Sequence, residues 1–322
     1  MSDHWLQAPE WCWNKGSGHV EFVHQWVLPL EQSSSSPDIV LYGAPISRSS
    51  ISVSGASQYP EEFRKMWKKF ATYQIEEDID LTKLNVRDAG DVQMHMTDIL
   101  LSHKRIESAT SYLVEKFPRS TTCLIGGDHS VTACAIRGIK KQYPDELIGI
   151  LQLDTHLDVR DPSVLGPANG TPIRQLIDGG VVEGEHIVNV GLHGFFNAKS
   201  LVDYAKEQKI QVVPLNKARK QGLVHTIKRS LEYLMDRVDR IYVTVDMDVL
   251  DISIAPGVPA STPGGMSSQE LFELMLEIGT YPEVKHIDFV CLDPTKDSNV
   301  SETVKVGLYA WLQFLSGIAL QK

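Results

Sequence analysis

"LIGILQLDTHLDVR" (147–160) changes character halfway along. A mostly apolar run ends at Leu153, and then Asp154, His156, Asp158 and Arg160 stand at every second position. In an extended backbone alternate side chains share a face. Three potential metal ligands and a cation therefore project together from the end of a strand. The run before them does not alternate, and a short continuous apolar run is the mark of a parallel strand covered on both faces.

Working outward, the same kind of run recurs as "DIVLYGAP" (38–45), "TTCLIGG" (121–127), "HIVNVGL" (186–192), "IQVVPL" (210–215), "RIYVTVD" (240–246) and "HIDFVCLD" (286–293). Helical patterns fill 60–73, 98–116, 130–142, 198–208, 220–238, 267–279 and 302–319. Pro60 suits the first turn of a helix. Ser267 followed by Glu270 reads as a capping box. Strands alternating with helices predict an α/β fold of three layers, αβα, around a central, mostly parallel sheet. The chain shows no repeat and no linker, so one domain is expected over 1–322, with 1–36 an N-terminal extension within it. "SSSSP" (33–37) reads as an exposed loop, and Trp5, Trp11 and Trp13 are expected to pack on the domain.

A formal charge of −10 argues against a nucleic-acid or anionic-membrane partner. No apolar run approaches the roughly 20 residues of a membrane span, and "MSDHWLQAPEW" has neither the basic nor the apolar region of a signal peptide. Cys12, Cys123, Cys134 and Cys291 form no CxxC pair, and reduced, buried thiols in a cytoplasmic protein are expected.

Ligands of open α/β sheets bind beyond the carboxyl ends of the strands. Three such ends carry unusual cargo. "TTCLI" runs into "GGDHS", with Asp128 and His129; "GILQL" runs into "DTHLDVR"; "IYVTV" runs into "DMDVLD", with Asp246 and Asp248 again at period two. Ser130 is expected to cap the helix that follows His129. Four carboxylates and two imidazoles can thus meet at one spot. Alone, the carboxylates would repel and their pKa values would rise. Two divalent cations would balance the four negative charges. Oxygen-rich ligation with one imidazole per ion and no thiolate suits Mn²⁺ better than structural zinc.

With these three segments in this order, the chain resembles the ureohydrolase family, whose members include arginase, agmatinase and formimidoylglutamase. "GGDHS", "DTHLD" and "DMDVLDISIAPGVPASTPGG" resemble its three signatures, and the likeness extends over essentially the whole chain, starting near "LYGAP". The resemblance implies an arginase-like fold and two Mn²⁺ ions per subunit. One ion would be held by His129, Asp154, Asp158 and Asp246, and the other by Asp154, His156, Asp246 and Asp248. Asp158, together with His156, would carry catalysis. Thr155 replaces the usual Ala and Ile252 the usual Pro, and neither removes a ligand. A homo-oligomer is implied by the same resemblance.

Within the family, Cys291 stands where arginase-like members carry a Glu that holds the guanidinium, and Asn169 in "NGTPIRQL" stands where they carry a His. "DVR" and "GTPIRQ" resemble the formimidoylglutamase branch, which makes Arg160, Asn169 and Arg174 the expected substrate-binding residues. Bidentate arginine suits a substrate with two carboxylates. The resemblance therefore implies hydrolysis of a small amidine, N-formimidoyl-L-glutamate, to L-glutamate and formamide in histidine breakdown. Alternatives are a guanidino hydrolase releasing urea (guanidinobutyrase, agmatinase or arginase) and, from other classes, a metallophosphoesterase or a non-catalytic metal-binding protein. The metallophosphoesterase order, with D-x-H first and a GNH[DE] box following, is absent.

Overall fold

A computed structural model describes residues 5–9, 11, 20–32 and 36–322. Its frame is a ten-stranded sheet. In chain order the main strands are β1 (Ile39–Gly43), β2 (Val86–Val92), β3 (Thr121–Ile125), β4 (Ile148–Leu153), β5 (Ile187–Val190), β6 (Gln211–Val213), β7 (Arg240–Asp246) and β8 (Val284–Val290). They lie side by side as β2-β1-β3-β8-β7-β4-β5-β6, all parallel. Two short strands, Leu6–Gln7 and Leu28–Pro29, finish the edge along β2, and Leu6–Gln7 is the antiparallel exception. The central strands β3, β4, β7 and β8 are buried almost throughout, as their apolar runs require.

The helices are α1 (Tyr59–Met66), α2 (Ile99–Lys116), α3 (Ser130–Gln142), α4 (Pro172–Asp178), α5 (Lys199–Glu207), α6 (Leu215–Gln221), α7 (Leu223–Met235), α8 (Ser268–Gly279) and α9 (Glu302–Ala319). They pack in two groups: α2 and α4 on α3, and α1, α6, α7, α8 and α9 in a chain of neighbours. The expected αβα layering is the one observed. Ser267 and Glu270 form the expected capping box of α8, and Pro60 sits in the first turn of α1.

Two local expectations are corrected, and two elements, α4 and β2, were not expected. The helix expected over 60–73 ends at Met66 and passes through a 3₁₀ turn, Trp67–Lys69. The helix expected over 220–238 is broken at Gly222, whose φ of +88° suits glycine, leaving α6 and α7 on either side. α4 had no apolar stripe long enough to announce it. β2, "VRDAGDV", reads as a polar loop but is a strand next to the sheet edge.

The β2 miss has an electrostatic cause. Its charges are paired internally: Arg64 of α1 donates through Nε and Nη2 to Asp88 (2.8 and 2.9 Å) and through Nη1 to Asp91 (2.8 Å). All three side chains are less than a tenth exposed. Hydrophobic periodicity cannot see a strand whose inward residues are charged and paired.

The N-terminal tryptophans that are described pack on the domain. Trp5 meets Tyr112 with ring centroids 6.2 Å apart, and Lys65 lies over the Trp11 ring. Trp13, Cys12 and Ser33–Ser35 lie outside the described residues. Cys123, Cys134 and Cys291 are free and buried. No helix among the described residues is long and apolar enough to cross a membrane.

Removing Arg64 alone would leave two buried carboxylates without a counter-charge, a defect of about 3–5 kcal/mol. Arg64→Ala is therefore expected to lower the unfolding free energy in urea by that amount with little change in slope. A loss under about 1 kcal/mol would mean that Asp88 and Asp91 are rescued by water.

Candidate metal centre

The strand order places the carboxyl ends of β3, β8, β7 and β4 side by side at the middle of the sheet. The chain leaves β3 and re-enters at β4, skipping the two places later filled by β7 and β8. Such a switch in winding opens a crevice at the strand ends. His129 follows β3, Asp154, His156 and Asp158 follow β4, and Asp246 and Asp248 close β7.

All six meet there. His129 Nδ1 lies 2.8 Å from Asp158 Oδ2, 3.0 Å from Asp246 Oδ2 and 3.4 Å from Asp154 Oδ2. His156 Nδ1 lies 2.8 Å from Asp248 Oδ2 and 3.6 Å from Asp154 Oδ1. The ligand atoms fall into two groups, one of His129, Asp154, Asp158 and Asp246 and one of Asp154, His156 and Asp248. Asp154 is common to both. Asp246, expected to bridge, falls in the first of these groups, with its Oδ1 accepting the Asp248 N–H (2.9 Å).

The donor set fits cations. The four aspartates are buried, and burial with mutual repulsion raises every one of their pKa values. Burial works against the imidazolium forms, yet the carboxylates outweigh it and push His156 up to about 12 and His129 well above its ordinary value. Both trends are the signature of a pocket short of positive charge. His129 Nδ1 is buried and makes no hydrogen bond of acceptable geometry, despite its carboxylate neighbours. Thr244 Oγ1 donates to Asp288 Oδ1 (2.6 Å), so it must accept from His129 Nε2–H (2.9 Å). That bond selects the tautomer with a lone pair on Nδ1, pointing into the cluster.

Sequence reading missed the residues that hold the ligands. Asn189, Gln152, Thr244 and Asp288 stand opposite one another on β5, β4, β7 and β8. They form one polar row across four strands. Asp154 and Asp246 lie two residues further along β4 and β7, on the same face. Gln152 Nε2 donates to Asp154 Oδ2 (2.7 Å), and Asn189 Nδ2 donates to the His156 carbonyl (2.9 Å). Asp288 accepts from Thr132, Tyr242 and Thr244. Each is a single polar residue inside an otherwise apolar run, and that interruption was the signal. Thr155, the departure from the usual Ala, donates to the Asp248 carbonyl (2.8 Å) and so adds a tie between two ligand loops.

Backbone strain also collects here. Asp158 (φ +53°) and Cys291 (φ +64°) adopt left-handed conformations that side chains other than glycine rarely take. The Cys291 thiol lies within 4.8 Å of ligand atoms of His129 and Asp246. A Cβ on Gly127 would stand 1.7 Å from the Ile46 carbonyl, so only glycine lets the loop after β1 press on the "GGDHS" turn. Asp128 fastens the two, accepting from Ser49 N (3.1 Å) and Ser130 N (3.1 Å). Ser130 is not the expected cap: it is the first residue of α3, and its hydroxyl lies 2.9 Å from His103 Nε2.

The three expected substrate residues are placed differently from one another. Arg174 is engaged: it reaches Asp178 and Asp161 (3.1 and 3.2 Å) and lies over the Tyr204 ring. Asn169 accepts from Ile51 N (2.8 Å) and steadies the loop after β1. Arg160 is exposed and its guanidinium has no hydrogen bond or ion pair among the described residues.

Comparison with known proteins finds relatives over most of the chain. Formimidoylglutamase of Halalkalibacterium halodurans is 39% identical, with 86% of either chain covered. The crystal structure of formimidoylglutamase from Bacillus subtilis is 35% identical, covers 89% of each chain and has a TM-score of 0.85. The structure of a variant of Trypanosoma cruzi formiminoglutamase with Mn²⁺ is 25% identical, covers 91% of this chain and 97% of that one, and has a TM-score of 0.83. The sequence pattern of the arginase family matches residues 37–316, and this chain, with its metal-ligand loops at the ends of β3, β4 and β7, belongs to that family.

Proposed function

We propose that this enzyme hydrolyses N-formimidoyl-L-glutamate to L-glutamate and formamide, with two Mn²⁺ ions per subunit held by His129, Asp154, Asp158, Asp246, His156 and Asp248. The convergence of four buried aspartates and two imidazoles on one crevice carries the hydrolytic part of this reading. The choice of substrate is supported by the 39% and 36% identical formimidoylglutamases of Halalkalibacterium halodurans and Bacillus subtilis. The agmatinase of Bacillus subtilis, at 30%, is more distant. One unit per chain and a homo-oligomer in solution belong to the same reading.

When bound, such ions lower the pKa of a shared water and make hydroxide available near pH 7. The protein's own residues do the rest. Asp158, fixed by its left-handed backbone at the junction of β4 and the crevice, accepts a hydrogen bond from the nucleophilic water and returns a proton to the departing nitrogen. His156, about a quarter exposed and the most accessible of the six ligands, faces the approach of substrate. Arg160, two residues beyond Asp158 and without a side-chain partner among the described residues, takes a substrate carboxylate. Gly170 leaves room for it, since a Cβ there would stand 3.1 Å from Arg160 Cδ. Arg174 and Asn169 serve the substrate by holding the loops on either side, Arg174 through Asp161 and Asn169 through Ile51.

The Mn²⁺-loaded protein is expected to release glutamate from N-formimidoyl-L-glutamate and no urea from arginine, agmatine or 4-guanidinobutyrate. Urea from a guanidine would overturn the substrate and leave the metal chemistry standing. Arg160→Ala should raise KM at least about tenfold with normal manganese content, the value of a charge-assisted hydrogen bond. Arg174→Ala should raise it less, and a KM unchanged in Arg160→Ala would remove that residue from the pocket. Asp288→Asn should weaken Mn²⁺ binding roughly 10–100-fold, as loss of a partner behind a metal ligand typically does. Titration of the chelated protein with Mn²⁺, following recovered activity, measures that shift, and an unshifted curve would mean that Thr244 orients His129 unaided.

A further inference from the structure

At the other end of the sheet, β5 is entered through "EGEHI" (183–187). Gly184–His186 is one turn of 3₁₀ helix with Glu183 at its N-cap. One ligand atom each from Glu183, Glu185 and His186 lies within 4.8 Å of the other two. Exposure is graded: Glu183 is exposed, Glu185 half-buried and His186 only 8% exposed. The imidazole is the floor of the cluster and the carboxylates are its rim.

The turn is held rigidly. Tyr233 OH donates to the Glu185 carbonyl (3.0 Å) and His186 N to the Glu183 carbonyl (2.9 Å). A Cβ on Gly184 would stand 2.1 Å from the Gln208 carbonyl, so the turn lies hard against the chain after α5. The one cation paired with the cluster among the described residues is Lys209, whose exposed Nζ is 3.6 Å from Glu185 Oε2. The His186 ring has no hydrogen-bond or ionic partner among the described residues. The ring is only 8% exposed, yet neither of its nitrogens is sealed from solvent, so a lone pair can reach an ion held between it and the two carboxylates.

We propose that Glu183, Glu185 and His186 form a second cation site, separate from the catalytic cluster, that takes a divalent ion of borderline softness such as Zn²⁺. One nitrogen and two carboxylate oxygens, with water completing the shell, match that ion's preferences. Lys209, on a flexible and exposed stem, yields its place at Glu185. The site lies at the amino end of β5, whereas the catalytic ligands lie beyond the carboxyl ends of the strands. An ion there ties the entry of β5 to its flanking turn and adds stability by mass action.

The test equilibrates the Mn²⁺-loaded full-length protein with a micromolar excess of Zn²⁺, removes free metal by desalting and counts zinc by mass spectrometry, beside His186→Ala. Zinc can also displace manganese from the catalytic cluster, so the difference between the two proteins is the readout. Wild type should retain one zinc per chain more than the variant. Its melting temperature should rise with Zn²⁺ by several degrees more than the variant's, while both hydrolyse substrate equally when assayed at saturating Mn²⁺ without zinc. Should His186→Ala fail to fold, the surface pair Glu183→Gln/Glu185→Gln must lose the same equivalent. Equal zinc in wild type and the folded variant overturns the proposal.

Discussion

Four aspartates cannot share a dry crevice as bare anions, and much of this molecule follows from that constraint. Burial and repulsion push their carboxyls toward neutrality, and the protein answers with geometry rather than with its own cations. No lysine or arginine reaches the cluster among the described residues. Toward a bound cation the imidazoles of His129 and His156 would contribute lone pairs in place of protons, and Thr244, itself donating to Asp288, holds His129 in the orientation that does so. A centre built in this way is incomplete as protein alone. Its missing charge must arrive from solution.

The same constraint explains how the sheet is furnished. Ligands at the carboxyl ends of β3, β4 and β7 need support from below, and the row Asn189–Gln152–Thr244–Asp288 supplies it one step down the strands. Apolar residues occupy most other positions of these strands, so the hydrogen-bonding groups sit in a low-dielectric setting where each bond is strong and each vacancy costly. Loops complete the centre. Gly127 lets the segment after β1 lie against the His129 turn, and Asp128 fastens it there.

The ligands were legible in sequence because period two in an extended chain is a geometric statement, and three segments made it independently. Alternation of apolar runs and helical stripes revealed the layers for the same reason. What escaped notice was whatever satisfies itself internally. β2 hid because Arg64 neutralises its inward charges. The polar row hid because Gln152, Thr244 and Asn189 each looked like one imperfect position in an apolar run. Arg160 and Arg174 looked alike as letters, and only the fold distinguishes a guanidinium already held by two carboxylates and a ring from one with no side-chain partner among the described residues.

The polar row has a consequence for how such a chain can change over time. Because strand side chains alternate strictly, inserting or deleting one residue within β4 or β7 would turn that strand's supporting residue and its candidate ligand to the opposite face together, and within β8 it would turn Asp288 away from Thr244. Length variation in the middle of the sheet is thus closed to this architecture, whereas the segments after β1 and β5, and the one beyond Asp158, carry no candidate ligand of their own and can grow or shrink. New substrates for this scaffold have to be written in its loops, over a floor whose residue count is fixed.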